Sequence, residues 1–259
     1  MHINEANIAN LTGLWKKYNS QVIKSSLLTE VHVNIHWPHR CWFDWDNLSR
    51  EEILQTLQPN VGKNTLLENV PVSAVIPVWP MMGIANGDEC SGLFEQQLLD
   101  NQWGCAFEQT AMYLVLKETR EYLALEQAEL QVKTVLTQDD VGEWVDIASD
   151  AFAYSINGDV IERLIDDKDI KILLGCHNEQ AVASALLYKT DDIIGIHQVG
   201  VRQSFQGKGI ARWFMQNIIE TCAQWQGEYI VLQASHAGKS LYDSLGFKAQ
   251  FLIKNYQIV

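Results

Sequence analysis

Nowhere in its 259 residues does the chain hold the roughly 20 uninterrupted apolar residues that a membrane-spanning helix needs, so no membrane partner is expected. Its opening Met-His-Ile-Asn-Glu lacks the basic and then apolar stretches of a secretory signal, which makes the cytoplasm the expected location. Positive charge is scarce: 19 Lys and Arg stand against 32 Asp and Glu, a formal charge of -13. That is the wrong sign for neutralising a phosphate backbone, and no nucleic-acid partner is expected. The deficit is even, with 8 basic and 14 acidic side chains in residues 1–125 and 11 and 18 in residues 126–259. Such a charge reads as a solvated surface that at most steers cationic substrates.

Paired cysteines are missing too. Cys41, Cys90, Cys105, Cys176 and Cys222 are odd in number and far apart, and they read as reduced, mostly buried thiols, not as zinc ligands or a redox centre. Proline is absent after residue 80, whereas Pro38, Pro59, Pro71, Pro77 and Pro80 all precede it, so the two halves are built differently.

In the first half, apolar spacing predicts a helix over 8–18, and the alternation Val31, Val33, Ile35, Trp37 predicts a half-buried strand. A short helix over 50–57 with Ser49 as its cap, a strand over 72–79 and a strand over 110–116 follow. Residues 118–129 read as a connector. Beyond it the pattern is regular: a strand over 130–136, then a helix opened by Thr137 and Asp140 at capping-box spacing, and a second short helix over 159–165. Strands over 170–176, 181–188 and 193–201, separated by polar turns, form a meander for which an antiparallel sheet is expected.

The third of these strands runs into Val-Gly-Val-Arg-Gln-Ser-Phe-Gln-Gly-Lys-Gly-Ile-Ala-Arg, residues 199–212, and then into a helix marked by Ile210, Phe214, Ile218 and Cys222, with Gly227 at its expected left-handed C-cap. Gly207 and Gly209 thus sit at a helix start. Glycine there permits positive φ and lets an anion approach backbone amides that have no intrahelical partner. Lys208 and Arg212 add positive charge. A Walker A loop fails on spacing, since six residues separate Gly200 from Gly207 where four are needed, and a dinucleotide fingerprint fails because Arg212 stands where a small residue is needed and a meander precedes the turn.

The segment Gln206-Gly207-Lys208-Gly209-Ile210-Ala211 resembles the acyl-CoA-binding signature of the GNAT acyltransferase superfamily: Gln or Arg, two residues, Gly, one residue, then Gly or Ala. Val199-Gly200-Val201 looks like the end of that family's fourth strand, 229–234 like its fifth, and Leu-Tyr-x-x-Leu-Gly-Phe (241–247) like its second signature. The resemblance covers residues 130–259. It implies an α+β fold with a mixed, mainly antiparallel sheet flanked by helices, and an N-acyltransferase that takes acetyl-CoA or a related acyl-CoA as co-substrate, with no metal. It implies that the backbone amides of Gln206, Gly207, Lys208, Gly209, Ile210 and Ala211 hold the diphosphate, with Arg212 among the cofactor-binding residues beside them, that Val199 and Val201 line the pantetheine arm, and that the Val201 amide polarises the thioester carbonyl. Ser235 and Lys239 stand where they would touch CoA or cap the following helix. Tyr242 matches the family's general acid. His197 is a candidate base, since an imidazole titrates near neutrality, with Glu162 and Asp150 as weaker candidates near the acceptor.

The expected domains are residues 1–125, read as a degenerate GNAT-like half, and residues 126–259, the catalytic domain. The expected acceptor is a small-molecule amine, with a homodimer left open. Two other readings remain: a non-catalytic acyl-CoA sensor or interaction module, and an enzyme acylating protein lysines or N-termini. His32, His36, His39 and Cys41 offer zinc-type ligands, but Pro38 redirects the chain between them and no metal is expected there. Trp37, Trp42, Phe43 and Trp45, with Asp44 and Asp46, read either as core or as a cation-binding pocket.

Overall fold

A computed structural model describes residues 2–23, 29–46, 48–58, 66–84, 86–118 and 129–259. In chain order these form α1 (Ile3–Lys17), β1 (Gln21–Ile23), β2 (Glu30–Val33), β3 (Cys41–Asp44), α2 (Arg50–Leu57), β4 (Ile76–Val78), α3 (Gly87–Asp100), β5 (Trp103–Val115), β6 (Leu130–Thr134), α4 (Gln138–Phe152), α5 (Gly158–Glu162), β7 (Ile170–His177), β8 (Gln180–Thr190), β9 (Ile193–Val201), α6 (Ile210–Gln224), β10 (Tyr229–Ser235), α7 (Lys239–Ser244) and β11 (Lys248–Ile258). No helix among the described residues is long and apolar enough to cross a membrane.

Packing divides the chain into two units. Unit 1 is Met1–Leu14, Met112–Gln233 and Ala237–Ala249; unit 2 is Trp15–Ala111, Ala234–His236 and Gln250–Val259. Packing therefore does not follow position along the chain, since the first helix lies largely in unit 1 and the last strand largely in unit 2. The expected boundary at 125/126 and most of the expected connector fall in 119–128, outside the described residues.

In unit 1 the strand order is β5-β10-β9-β8-β7-β6. The meander is antiparallel through β6, β7, β8 and β9, and β10 joins β9 in parallel. Residues 181–188 of β8 are all buried, so this strand is covered on both faces and has no polar side to alternate with an apolar one. The Trp144 indole of α4 donates to Ala185 O at 3.0 Å, and Asn10 of α1 donates to Tyr188 O at 2.9 Å. The capping box opens α4 as the sequence predicts, with Asp140 N–H on Thr137 Oγ1.

Unit 2 holds the antiparallel sheet β1-β2-β3 and the strand order β4-β11-β5. Its core is built from Val31, Val33, Phe43, Ile53, Ile76, Phe94, Leu98, Trp103 and Tyr256. Ser49 caps α2, as expected, and Glu52 turns the cap into a capping box.

Several expectations need correction. The helix at the start of the chain begins at Ile3, because Asn7 and Asn10 lie fully buried on its packed face, where hydrogen bonds to Met112 O and Tyr188 O satisfy them. β2 stops at Val33, since Asn34 N–H bonds Arg40 O and closes residues 34–40 into a loop. Val72 is exposed within a turn closed by Ala74 N–H on Pro71 O, so the strand expected over 72–79 shrinks to three residues. At the end of α6 it is Gln226, not Gly227, that takes positive φ. Gln226 N–H bonds Ala223 O and Gly227 N–H bonds Cys222 O, the two bonds of a Schellman motif. Gly227 is required for a different reason: a Cβ there would lie 2.7 Å from Ile194 Cδ1.

Candidate functional site

β9 carries an irregularity on which the site depends. Its register against β8 shifts between Leu186↔His197 and Ser184↔Gly200, so β9 holds one extra residue, and Gln198 takes a left-handed φ of 52° there. Its parallel pairing with β10 runs only from Tyr229↔Ile193 to Val231↔Gly195, although both strands continue. From Ile196 onward the two strands part.

Beyond the bulge, Arg202 N–H donates to Val182 O at 2.9 Å, and Val201 stands opposite Ala183. Antiparallel ladders alternate bonded and non-bonded pairs, so the Val201 N–H points away from β8, toward the side where β10 has left. The Val201 carbonyl accepts from Gln206 Nε2 at 3.1 Å, which folds the following turn back on the strand end. Asp150 fixes the turn from α4 by accepting Gln203 N–H at 2.9 Å.

Gly207 and Gly209 have φ of 77° and 80°, and an added Cβ at either would meet nothing within 4 Å. Gly209 is the N-cap of α6 and no side chain caps the helix; the first bond runs from Trp213 N–H to Gly209 O. The amides of Ile210, Ala211 and Arg212 thus lack intrahelical partners at the positive end of the helix dipole. Gln206, Lys208 and Arg212 are exposed and Ala211 is half-buried. Ile210 and Val201 are buried, so they offer the site backbone only, and Val199 is half-buried in the bulge. Lys208 Nζ sits 4.6 Å from the Phe205 ring centre. Arg212 donates to Ser244 Oγ at 2.8 Å and so ties the start of α6 to α7, the helix of Tyr242. By contrast, α3 in unit 2 opens at Gly87, where a Cβ would lie 1.8 Å from Met81 O; that helix start is closed.

Residues 135–247 match the Acetyltransferase (GNAT) family, a span that includes β9, the glycine turn, α6 and α7. The chain carries a GNAT acetyltransferase domain over that span. The matched span is a little under half of the chain. A comparison with curated proteins found no match. Among solved structures, the chain is similar to a GCN5-related N-acetyltransferase from Kribbella flavida (12% identity, TM-score 0.66, 97% of this chain and 93% of that one). It is also similar to one from Sphaerobacter thermophilus (14%, 0.63, 88% and 75%) and to a functionally unknown conserved protein from Staphylococcus epidermidis (13%, 0.58, 92% and 94%). At these identities the likeness is one of fold.

Within the GNAT domain, Tyr242 is half-buried, packs edge-on against Phe247 at 5.7 Å, and burial pushes its phenol up to about 12. His197 sits on β9 but not as expected for a base. Its Nε2 lies 3.1 Å from Asn10 Oδ1 and burial holds the imidazole down to about 3, so it is neutral at physiological pH with one nitrogen engaged. Lys239 pairs with Asp243 at 2.8 Å. Ser235 is the exposed last residue of β10 and does not cap α7, whose N-cap is Gly238. Asp150 is engaged with Gln203, and Glu162 accepts from Gln138. The aromatics Trp37, Trp42, Phe43 and Trp45 are all buried, and Phe43 stacks on Trp45 at 5.6 Å, so they are core. Cys41 is fully buried with its thiol pushed up to about 12, while His36 and His39 are exposed.

Sequence reasoning missed Asn10 and the bulge at Gln198. A buried-face Asn in a helix is the signal that existed for the first, but its partner lies 187 residues away.

Proposed function

We propose that this GNAT domain transfers an acyl group from an acyl-CoA directly to an amine. The observation that carries the reading is the open, uncapped start of α6, with two left-handed glycines, placed directly after a bulged strand end that has parted from its neighbour. These residues fit a diphosphate. The glycines leave the approach clear, three amides lack partners, and Lys208 and Arg212 supply positive charge in a chain otherwise short of it. When bound, acyl-CoA supplies an activated acyl group and a leaving thiolate.

The chain's own residues then have distinct tasks. The amides of residues 207–212 bind and orient the donor. The Val201 N–H, turned away from β8, is a fixed donor for negative charge developing on a carbonyl oxygen. Tyr242 stays protonated at all ordinary pH, as a general acid toward a thiolate must. His197 anchors β9 to α1 through Asn10 and is not assigned as the proton acceptor. The acidic surface favours a cationic, small-molecule amine as acceptor. Unit 2, whose glycine-opened helix is closed at its start, serves as a degenerate, non-binding scaffold.

The test is calorimetry and turnover with the full chain. Gly207→Glu and Gly209→Glu should each abolish detectable CoA binding, because a side chain and a like charge enter the anion site. Unchanged affinity rejects the placement. Release of free CoA from acetyl-CoA in the presence of an amine panel supports transfer, whereas tight binding with no release on any amine identifies a sensor instead.

A further inference from the structure

Unit 2 brings together three side chains that the acyl-transfer site does not use. Glu30 and Asp44 stand directly opposite each other in the β2–β3 ladder, and His32 follows two residues after Glu30 on the same face. One ligand atom from each of the three lies within 4.8 Å of the others, the one such grouping of His, Cys, Asp and Glu among the described residues. His32 is buried, with only 6% of its surface exposed, and its ring stacks on Trp42 at 4.9 Å with an interplanar angle of 11°. Its Nε2 is buried without a hydrogen-bond partner and points at Glu30 Oε2 from 3.5 Å.

That spacing is informative. Two ligands about 2.0–2.1 Å from a tetrahedral ion are about 3.3 Å apart. A buried nitrogen held just beyond hydrogen-bond range of a carboxylate is therefore placed as a co-ligand would be. Asp44 completes the set: its Oδ1 accepts Asp46 N–H at 3.2 Å, a contact that orients the carboxylate. Lys16 acts on His32 from one side and the Asp44 and Glu30 carboxylates act from the other, so the surroundings remain net negative.

We propose that Glu30, His32 and Asp44 form a binding site for one divalent first-row transition cation of the zinc class, clipping β2 to β3. One nitrogen and two carboxylate oxygens suit such an ion, and three protein ligands leave a position for water.

The test uses the untagged full chain, first stripped with a chelator and then titrated with Zn2+ alone by calorimetry. One equivalent should bind and raise the unfolding temperature. Glu30→Gln and Asp44→Asn, both at sites with exposed or half-buried side chains, should each weaken Zn2+ binding by roughly tenfold or more while leaving the far-ultraviolet circular dichroism unchanged. A His36→Ala, His39→Ala double variant should bind as the parent does. Co2+ in place of Zn2+ should quench Trp42 emission, measured as the signal lost in Trp42→Phe. Absence of binding, binding unaffected by either carboxylate variant, or binding lost only in the His36, His39 variant overturns the proposal. None of these outcomes bears on acyl transfer.

Discussion

Tyr242 and His197 show how one effect, burial, sends two side chains to different tasks. Desolvation raises the phenol and lowers the imidazole, because in each case it disfavours the charged form. Tyr242→Phe should therefore lower kcat roughly hundredfold or more while leaving acyl-CoA affinity unchanged, measured by steady-state kinetics and calorimetry. An unaltered kcat would remove it from the mechanism. For His197 the folded pKa of about 3 lies below the unfolded value near 6.5. Between these values the unfolded chain takes up a proton that the folded one refuses. Stability should fall as pH drops from about 6.5 toward 3, by up to about 1.4 kcal/mol per pH unit. Urea unfolding at pH 7 and pH 5 checks this: His197→Gln should flatten the slope, and an unchanged slope would show that another group carries it.

The elements are held at their ends by contacts readable over a few residues. Thr137 and Asp140 close the box on α4, and Asp140, held near 2 chiefly by Lys133, also accepts Leu136 N–H. Thr137→Ala should cost about 1 kcal/mol in denaturant unfolding. At the other end of the domain, α6 terminates with Gln226 in the left-handed region, which disfavours a side chain by roughly 1–2 kcal/mol. Gln226→Gly should raise stability by about 1 kcal/mol, and Gly227→Ala should lower it, because its methyl would strike Ile194. Equal stabilities for the two variants would contradict the assignment of the motif. The strand β9 behaves otherwise: its irregularity arises from one extra residue relative to β8, which no local pattern within β9 announces.

Across the whole molecule, the last strand binds together residues far apart in sequence. Lys254 Nζ and Tyr256 Oη both reach Glu95, at 2.7 and 2.8 Å, and Arg40 donates to Asn255 at 2.9 Å. Deleting residues 250–259 should leave Glu95 without these donors and abolish cooperative unfolding of unit 2. Intrinsic fluorescence reads this out, since six of the nine tryptophans lie there. The sequence by itself determined the meander, the Ser49 cap of α2, the capping box of α4 and the Gly207, Gly209 helix start. Those features rest on hydrogen bonds and backbone angles set within a few residues, so spacing reveals them. Tertiary structure alone decided that Asn10 reaches His197, that the first and last elements change units, and that Glu30, His32 and Asp44 converge. Each of these requires distant segments to close and pack, and the side chains involved carry no local mark of the partner they will meet.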